Sequence, residues 1–225
     1  ILKISEYLKY IDIQSEKKNL DNSQAFIVNL VKNISHNNSD LISLKNPIYS
    51  GFQSIDKITR GLPAGDLIII AGRPSMGKTS LVINIAYHAL KKSNIQVCIF
   101  SLEMTKLQIL QRIIAIGSRI PLHYILEGKI NEYQWQIIIK ICKKILTSNI
   151  YINDTCNIAI EEISYISQQI HKEISINTLI IIDYLQLIQI QSLDLENRSQ
   201  ELSYITRQLK ILAQCLNTPI IILDR

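Results

Sequence analysis

Eight consecutive residues, Gly72-Arg73-Pro74-Ser75-Met76-Gly77-Lys78-Thr79, could grip a phosphate chain, and Ser80 follows them. They match G-x-x-x-x-G-K-[ST], and they stand between a buried apolar run and an amphipathic stretch, the strand-to-helix context that this motif requires. Glycines let the backbone turn tightly, so that successive N–H groups converge on phosphate oxygens. A helix opening near Thr79 adds the positive end of its dipole. Lys78 can place a point charge on the β- and γ-phosphates, and the Thr79 hydroxyl can ligate Mg²⁺. The competing reading is a bare glycine turn with no ligand.

Two carboxylates can complete such a site. Asp183 ends the run Leu179-Ile180-Ile181-Ile182-Asp183, where a nucleotide-hydrolysing P-loop protein keeps its Mg²⁺-organising acid. Glu103 ends the run Phe100-Ser101-Leu102-Glu103, and a carboxylate there can orient an attacking water and accept its proton. Each has an ordinary alternative: Asp183 as a turn or helix-cap residue, Glu103 as a cap beside Thr105.

The elements that must position these groups follow from hydrophobic periodicity. Leu67–Ala71, Val97–Leu102, Ile150–Ile152, Thr178–Ile182 and Pro219–Leu223 are continuous apolar runs rich in β-branched residues. Such runs suit a parallel sheet covered on both faces. Amphipathic helices are expected between them at Thr79–Leu90, Thr105–Ser118, Asn131–Leu146, Ile158–Lys172 and Glu201–Leu216. Thr105 is read as a cap, and Trp135, Ile138, Cys142 and Ile145 as one face of the third helix. Strand–helix alternation predicts an α/β fold with a doubly wound, mostly parallel sheet. Its strand C-termini line one crevice, which gathers Lys78, Glu103 and Asp183 on one edge. Gly51, Gly61, Pro63 and Gly65 mark the preceding stretch as loops.

Residues 1–46 are read as a separate N-terminal tail and residues 47–225 as the nucleotide-binding domain, with Asn46-Pro47 at the boundary. Within the tail, Ile27, Leu30, Val31 and Ile34 form an amphipathic helical stripe that needs a surface to bury against. The chain opens on Ile1 and closes at Arg225 directly after an apolar run, so it is expected to be a segment of a longer protein.

Bulk properties bound the answer loosely. A net charge of +5 is compatible with a polyanionic partner and equally with a plain basic surface. Cys98, Cys142, Cys156 and Cys215 form no C-x-x-C pair and are expected as buried free thiols in a reducing compartment. No apolar run approaches the ~18 residues that a membrane span needs. The heavy use of Ile, Asn and Lys points to an AT-rich genome, with the chloroplast stroma or a bacterial cytoplasm as the expected home.

Taken in order, Gly72–Thr79, Phe100-Ser101-Leu102-Glu103-Met104 and Ile181-Ile182-Asp183-Tyr184-Leu185-Gln186-Leu187 resemble the motor domain of DnaB-type replicative DNA helicases, a RecA-like P-loop fold. Gly51–Asp56, Leu126–Ile130 with Trp135, Ile150–Thr155 and Asn197–Lys210 extend the likeness to about residues 20–223. The resemblance implies ATP and Mg²⁺ as cofactors, with Gly72 to Ser80 holding the nucleotide, Thr79 and Asp183 the metal, and Lys78 and Glu103 the chemistry. It implies a homo-hexamer on single-stranded DNA at a replication fork, moving 5′→3′, with primase and a loader as partners. The stripe at 23–35 becomes a linker helix docking on the next subunit, and Arg112 matches a basic position near the nucleotide. One departure is plain. Where the family carries Ser-Gln after the strand that starts here at Pro219, this chain reads Asp224-Arg225, and the family's DNA-gripping loops and trans-acting arginine would lie further on. The rival readings are a RecA-like ATP-binding assembly module without translocation and a RecA-type recombinase, the latter disfavoured by Asp183–Leu187.

Overall fold

The computed structural model describes residues 47–173, 177–190 and 197–224. The chain divides into two units, Ile1–Lys45 and Asn46–Arg225, and the fold below is that of the second. The expected helix carrying Ile27, Leu30, Val31 and Ile34 lies outside the described residues.

The elements run α1 (Gln53–Thr59), β1 (Leu67–Ala71), α2 (Lys78–Leu90), β2 (Ile95–Ser101), α3 (Lys106–Ser118), α4 (Leu122–Glu127), α5 (Glu132–Leu146), β3 (Asn149–Asn153), α6 (Ile160–Glu173), β4 (Asn177–Asp183), a short 3₁₀ turn at Leu185–Leu187, α7 (Arg198–Leu216) and β5 (Ile220–Asp224). The five strands pair in the order β1-β5-β4-β2-β3, every pair parallel. All strand C-termini therefore share one edge.

The isoleucine-rich strands divide the core by alternation, because successive strand side chains point to opposite faces. Leu179 and Ile181 of β4 join Val97 and Ile99 of β2 against α2 and α3, in a layer with Val82, Ile85, Ile109 and Ile113. Ile180 and Ile182 join Cys98 and Phe100 on the opposite face, against Ile163 of α6 and Ile205, Leu209 and Leu212 of α7. Strands β2 and β4 are buried nearly throughout, as continuous apolar runs require.

Several expectations need correction. Strand β1 is covered only in part, with Ile69 51% exposed, because it stands at the sheet edge beside β5 alone. Helix α6 starts at Ile160 rather than Ile158. The backbone of Ile158 is already engaged by Gln189, whose N–H donates to the Ile158 carbonyl at 3.1 Å. Helix α7 starts at Arg198 because Asn197 caps it, accepting from the Gln200 N–H at 3.0 Å. On α5 only Ile138 is buried, while Trp135 is more than half exposed. The stretch read as loops around Gly51 and Gly61 contains α1. An Ile48–Leu62 bridge closes around it, with Leu62 N–H donating to the Ile48 carbonyl at 2.7 Å. All four cysteines are free, but Cys156 and Cys215 are exposed, on a loop and on the outer face of α7. No helix among the described residues is long and apolar enough to cross a membrane.

Candidate active site

The segment Gly72–Gly77 links the end of β1 to the start of α2 and is exposed along its length. Its shape depends on left-handed backbone. Gly77, the residue before the helix, has φ 87°, and a Cβ there would meet nothing within 4 Å. Glycine is thus required by backbone conformation rather than by crowding. Ser75 adopts φ 64° in the same loop. Helix α2 has no side-chain cap and no acidic residue in its first turn, so its N-terminal N–H groups and dipole face the loop.

Lys78 folds back over this loop. Its ammonium donates to the Gly72 carbonyl and, at 3.0 Å, to the Arg73 carbonyl. The charge is held where the loop closes, by weak neutral acceptors that a phosphate oxygen would outcompete. One residue on, the Thr79 hydroxyl donates to Asp183 Oδ2 at 2.9 Å, joining the start of α2 to the end of β4. Asp183 is 4% exposed.

Strand β2 brings in the third group. Ser101 pairs in register with Asp183, and the Leu102 N–H donates to the Asp183 carbonyl at 2.8 Å. The chain then turns. Ser101 Oγ donates to the Met104 carbonyl at 2.7 Å and accepts from the Met104 N–H at 3.2 Å, and the turn so tied presents Glu103 to solvent. The helix-cap alternative for Glu103 is taken by other residues. Thr105 accepts from Gln108 N–H while Gln108 Oε1 accepts from Thr105 N–H, and Asp154 accepts from Lys106 N–H at 2.8 Å. Arg112 lies on α3, half-buried.

The edge also holds groups that periodicity did not single out. Asp224 ends β5 in register with Ala71, and its carboxylate accepts from the Gln186 side chain of the 3₁₀ turn after β4. Arg198 donates to the Gln186 carbonyl at 2.6 Å and pairs with Glu201. Ser101 falls within Phe100–Met104 and Asp154 within Ile150–Thr155, segments that carry the family resemblance, but neither has a role assigned to it there. Their signal, a small polar residue ending or just following an apolar strand, is too common to be selective.

Residues 47–225 match the family model described as DnaB-like helicase C terminal domain. The chain belongs to the DnaB-like helicase C-terminal domain family. A "Probable replicative DNA helicase" of Trieres chinensis is 40% identical over 176 residues, covering 78% of this chain and 39% of that protein. A "Replicative DNA helicase DnaC" of Bacillus subtilis is 35% identical over 227 residues, covering 99% of this chain and 49% of its own length. Among solved structures, an ATPase domain superposes with a TM-score of 0.79 at 26% identity, over 92% of this chain and 71% of that one. The chain thus spans less than half the length of these curated relatives. The doubly wound parallel sheet is the RecA-like fold of the DnaB-like family.

Proposed function

We propose that this chain is the ATP-hydrolysing motor of a replicative DNA helicase, which couples hydrolysis of MgATP to movement along single-stranded DNA and unwinding of the duplex. The observation that carries the reading is the Thr79–Asp183 hydrogen bond at the mouth of the Gly72–Gly77 loop. A hydroxyl and a buried carboxylate 2.9 Å apart are hard oxygen donors suited to Mg²⁺, which keeps several waters and takes only a few protein ligands. When bound, the ion would neutralise charge on the β- and γ-phosphate oxygens.

The protein's own part is positional. Backbone N–H groups of Gly72–Gly77 and the start of α2 orient the phosphates, and Lys78 leaves its carbonyl partners to balance their charge. Glu103, held on its turn by Ser101, takes the proton of the attacking water. Arg73, Pro74, Ser75, Met76 and Ser80 shape the loop around the nucleotide.

Assembly into a homo-hexamer, with primase and a loader as partners, extends the reading to the larger protein. Exposed apolar side chains on α4 and α5 (Leu126, Tyr133, Trp135 and Leu146) support a subunit contact. Relatives in a plastid-bearing alga and in bacteria support the chloroplast stroma, or otherwise a bacterial cytoplasm, as the home. The test is ATP turnover by the protein extended to its relatives' length, with and without single-stranded DNA. Stimulation by DNA is expected. Turnover indifferent to DNA, together with nucleotide-dependent oligomerisation, would replace the motor by an assembly module.

A further inference from the structure

Helix α2 carries the phosphate loop at its N-terminus, and a second polar cavity sits at its other end. Across α2 at ~1.5 Å per residue the two lie roughly 20 Å apart. This cavity, of about 330 Å³, is lined by Gly51, Phe52, Tyr87, His88, Lys91 and Arg119, among others, and no acidic residue lines it among the described residues. Two glycines let it form. A Cβ on Gly51 would fall 2.5 Å from the His88 ring, and one on Gly117 would fall 3.1 Å from the Tyr87 ring. The nearby carboxylate of Asp56 is engaged by the N–H groups of Ser50 at 2.8 Å and Gly51 at 3.1 Å.

The cations here have no carboxylate partner among the described residues. Lys91 and Arg119 are exposed. They come from separate elements, Lys91 from the end of α2 and Arg119 from the end of α3. Aromatic rings share the cavity with them, Phe52 and Tyr87 among its lining. Lys91 Nζ lies 4.7 Å from the Tyr87 ring centre and Lys92 Nζ lies 5.1 Å from that of Tyr49, while Tyr49 and Phe52 are 39% and 37% exposed. A small free anion is best held by N–H groups converging on one point, as at Gly72–Gly77. Here two cation–ring pairs, Lys91 with Tyr87 and Lys92 with Tyr49, lie with Phe52 and Arg119 at this end of α2, a mixture that suits a strand whose phosphates meet cations and whose bases stack on rings.

We propose that this surface, formed by Tyr49, Phe52, Tyr87, Lys91, Lys92 and Arg119, is a second contact for single-stranded nucleic acid, separate from the nucleotide edge and independent of ATP. The experiment is fluorescence anisotropy of the full chain with a labelled thymidine oligonucleotide of about 20 nucleotides, without nucleotide, across a salt series. Lys91→Ala/Arg119→Ala should weaken binding about five- to tenfold and lower the slope of log affinity against log salt by about 1.4, two contacts at ~0.7 each. Phe52→Leu should weaken binding and leave the slope unchanged. Lys140→Ala/Lys143→Ala removes the same charge from the exposed face of α5 and should leave both quantities within about twofold. ATP affinity should be unaltered in every variant, which separates this result from the fate of the motor reading. Equal losses in the two double variants would mean bulk charge alone and overturn the proposal, as would no loss in either. Displacement of the oligonucleotide by inorganic phosphate, beyond the effect of chloride at equal ionic strength, would assign the cavity to a small anion instead.

Discussion

Lys78 and Glu103 are asked to do different work, and substitution separates them. If Lys78 meets phosphate as proposed, Lys78→Ala removes a charge-assisted bond worth about 1.5–3 kcal/mol, so ATP affinity should fall by roughly 10- to 150-fold. Calorimetry on both proteins reads this directly, and equal affinities would remove the phosphate role from the loop. Glu103→Gln preserves size and hydrogen bonding but cannot accept a proton. ATP affinity should stay within a few-fold while turnover drops about 10²–10⁴-fold, the range for a positioned base. Parent-level turnover in an otherwise active protein would leave Glu103 without a chemical role, since Thr105, Gln108 and Asp154 already serve the helix start. Thr79 and Asp183 each stand out in the sequence as motif residues. Their hydrogen bond does not, because it joins residues 104 positions apart and only the sheet order brings them together.

At the scale of elements, apolar runs locate every strand among the described residues, because a buried parallel strand is a short block of Ile, Val and Leu wherever it occurs. Boundaries moved where a polar residue is buried inside the sheet. Gln96 is 5% exposed within β2 and hid the first residues of that strand. Periodicity does not reveal helices α1 and α4, because each is under two turns long and buries no residue, so neither has a stripe to read. The same contrast predicts stability. Ile182, fully buried in β4, should cost about 2–5 kcal/mol on change to Ala, whereas Ile58, 85% exposed on α1, should cost within about 0.5 kcal/mol. Chemical denaturation of the two variants tests this, and similar midpoints would contradict the assigned core. Strand β2 also carries Cys98, whose thiol burial pushes far above its ordinary pKa. A folded pKa raised above the unfolded one contributes stability that is complete below the unfolded value, ~8.5. That contribution is lost as pH rises beyond it. Denaturation midpoints should therefore fall in alkaline buffer, and Cys98→Ala should flatten the fall. Thiol reagents at neutral pH should modify Cys156 and Cys215 and spare Cys98. Early labelling of Cys98 would place it outside the core.

For the whole molecule, Asn46–Arg225 forms a compact unit, and its described residues build two apolar layers. A chain beginning at Asn46 should then keep the melting temperature within a few degrees and bind ATP as the full chain does. Loss of cooperative melting would show that the first 45 residues complete the core. The α/β class was readable from strand–helix alternation, whereas the strand order was not. Nothing in an isoleucine run says which other isoleucine run lies beside it.

That order has a consequence during synthesis. Leu67–Ala71 has one sheet neighbour, Ile220–Asp224, and Leu67 pairs with Ile220. A ribosome adding about 5–20 residues per second needs roughly 8–30 s to cover that interval of about 150 residues. Throughout it the nascent chain carries Leu-Ile-Ile-Ile-Ala with no strand to receive it, a sticky segment of the kind that chaperones hold. The loop Gly72–Gly77, anchored on that strand, thus stands on an unpaired strand until residue 224 has left the exit tunnel.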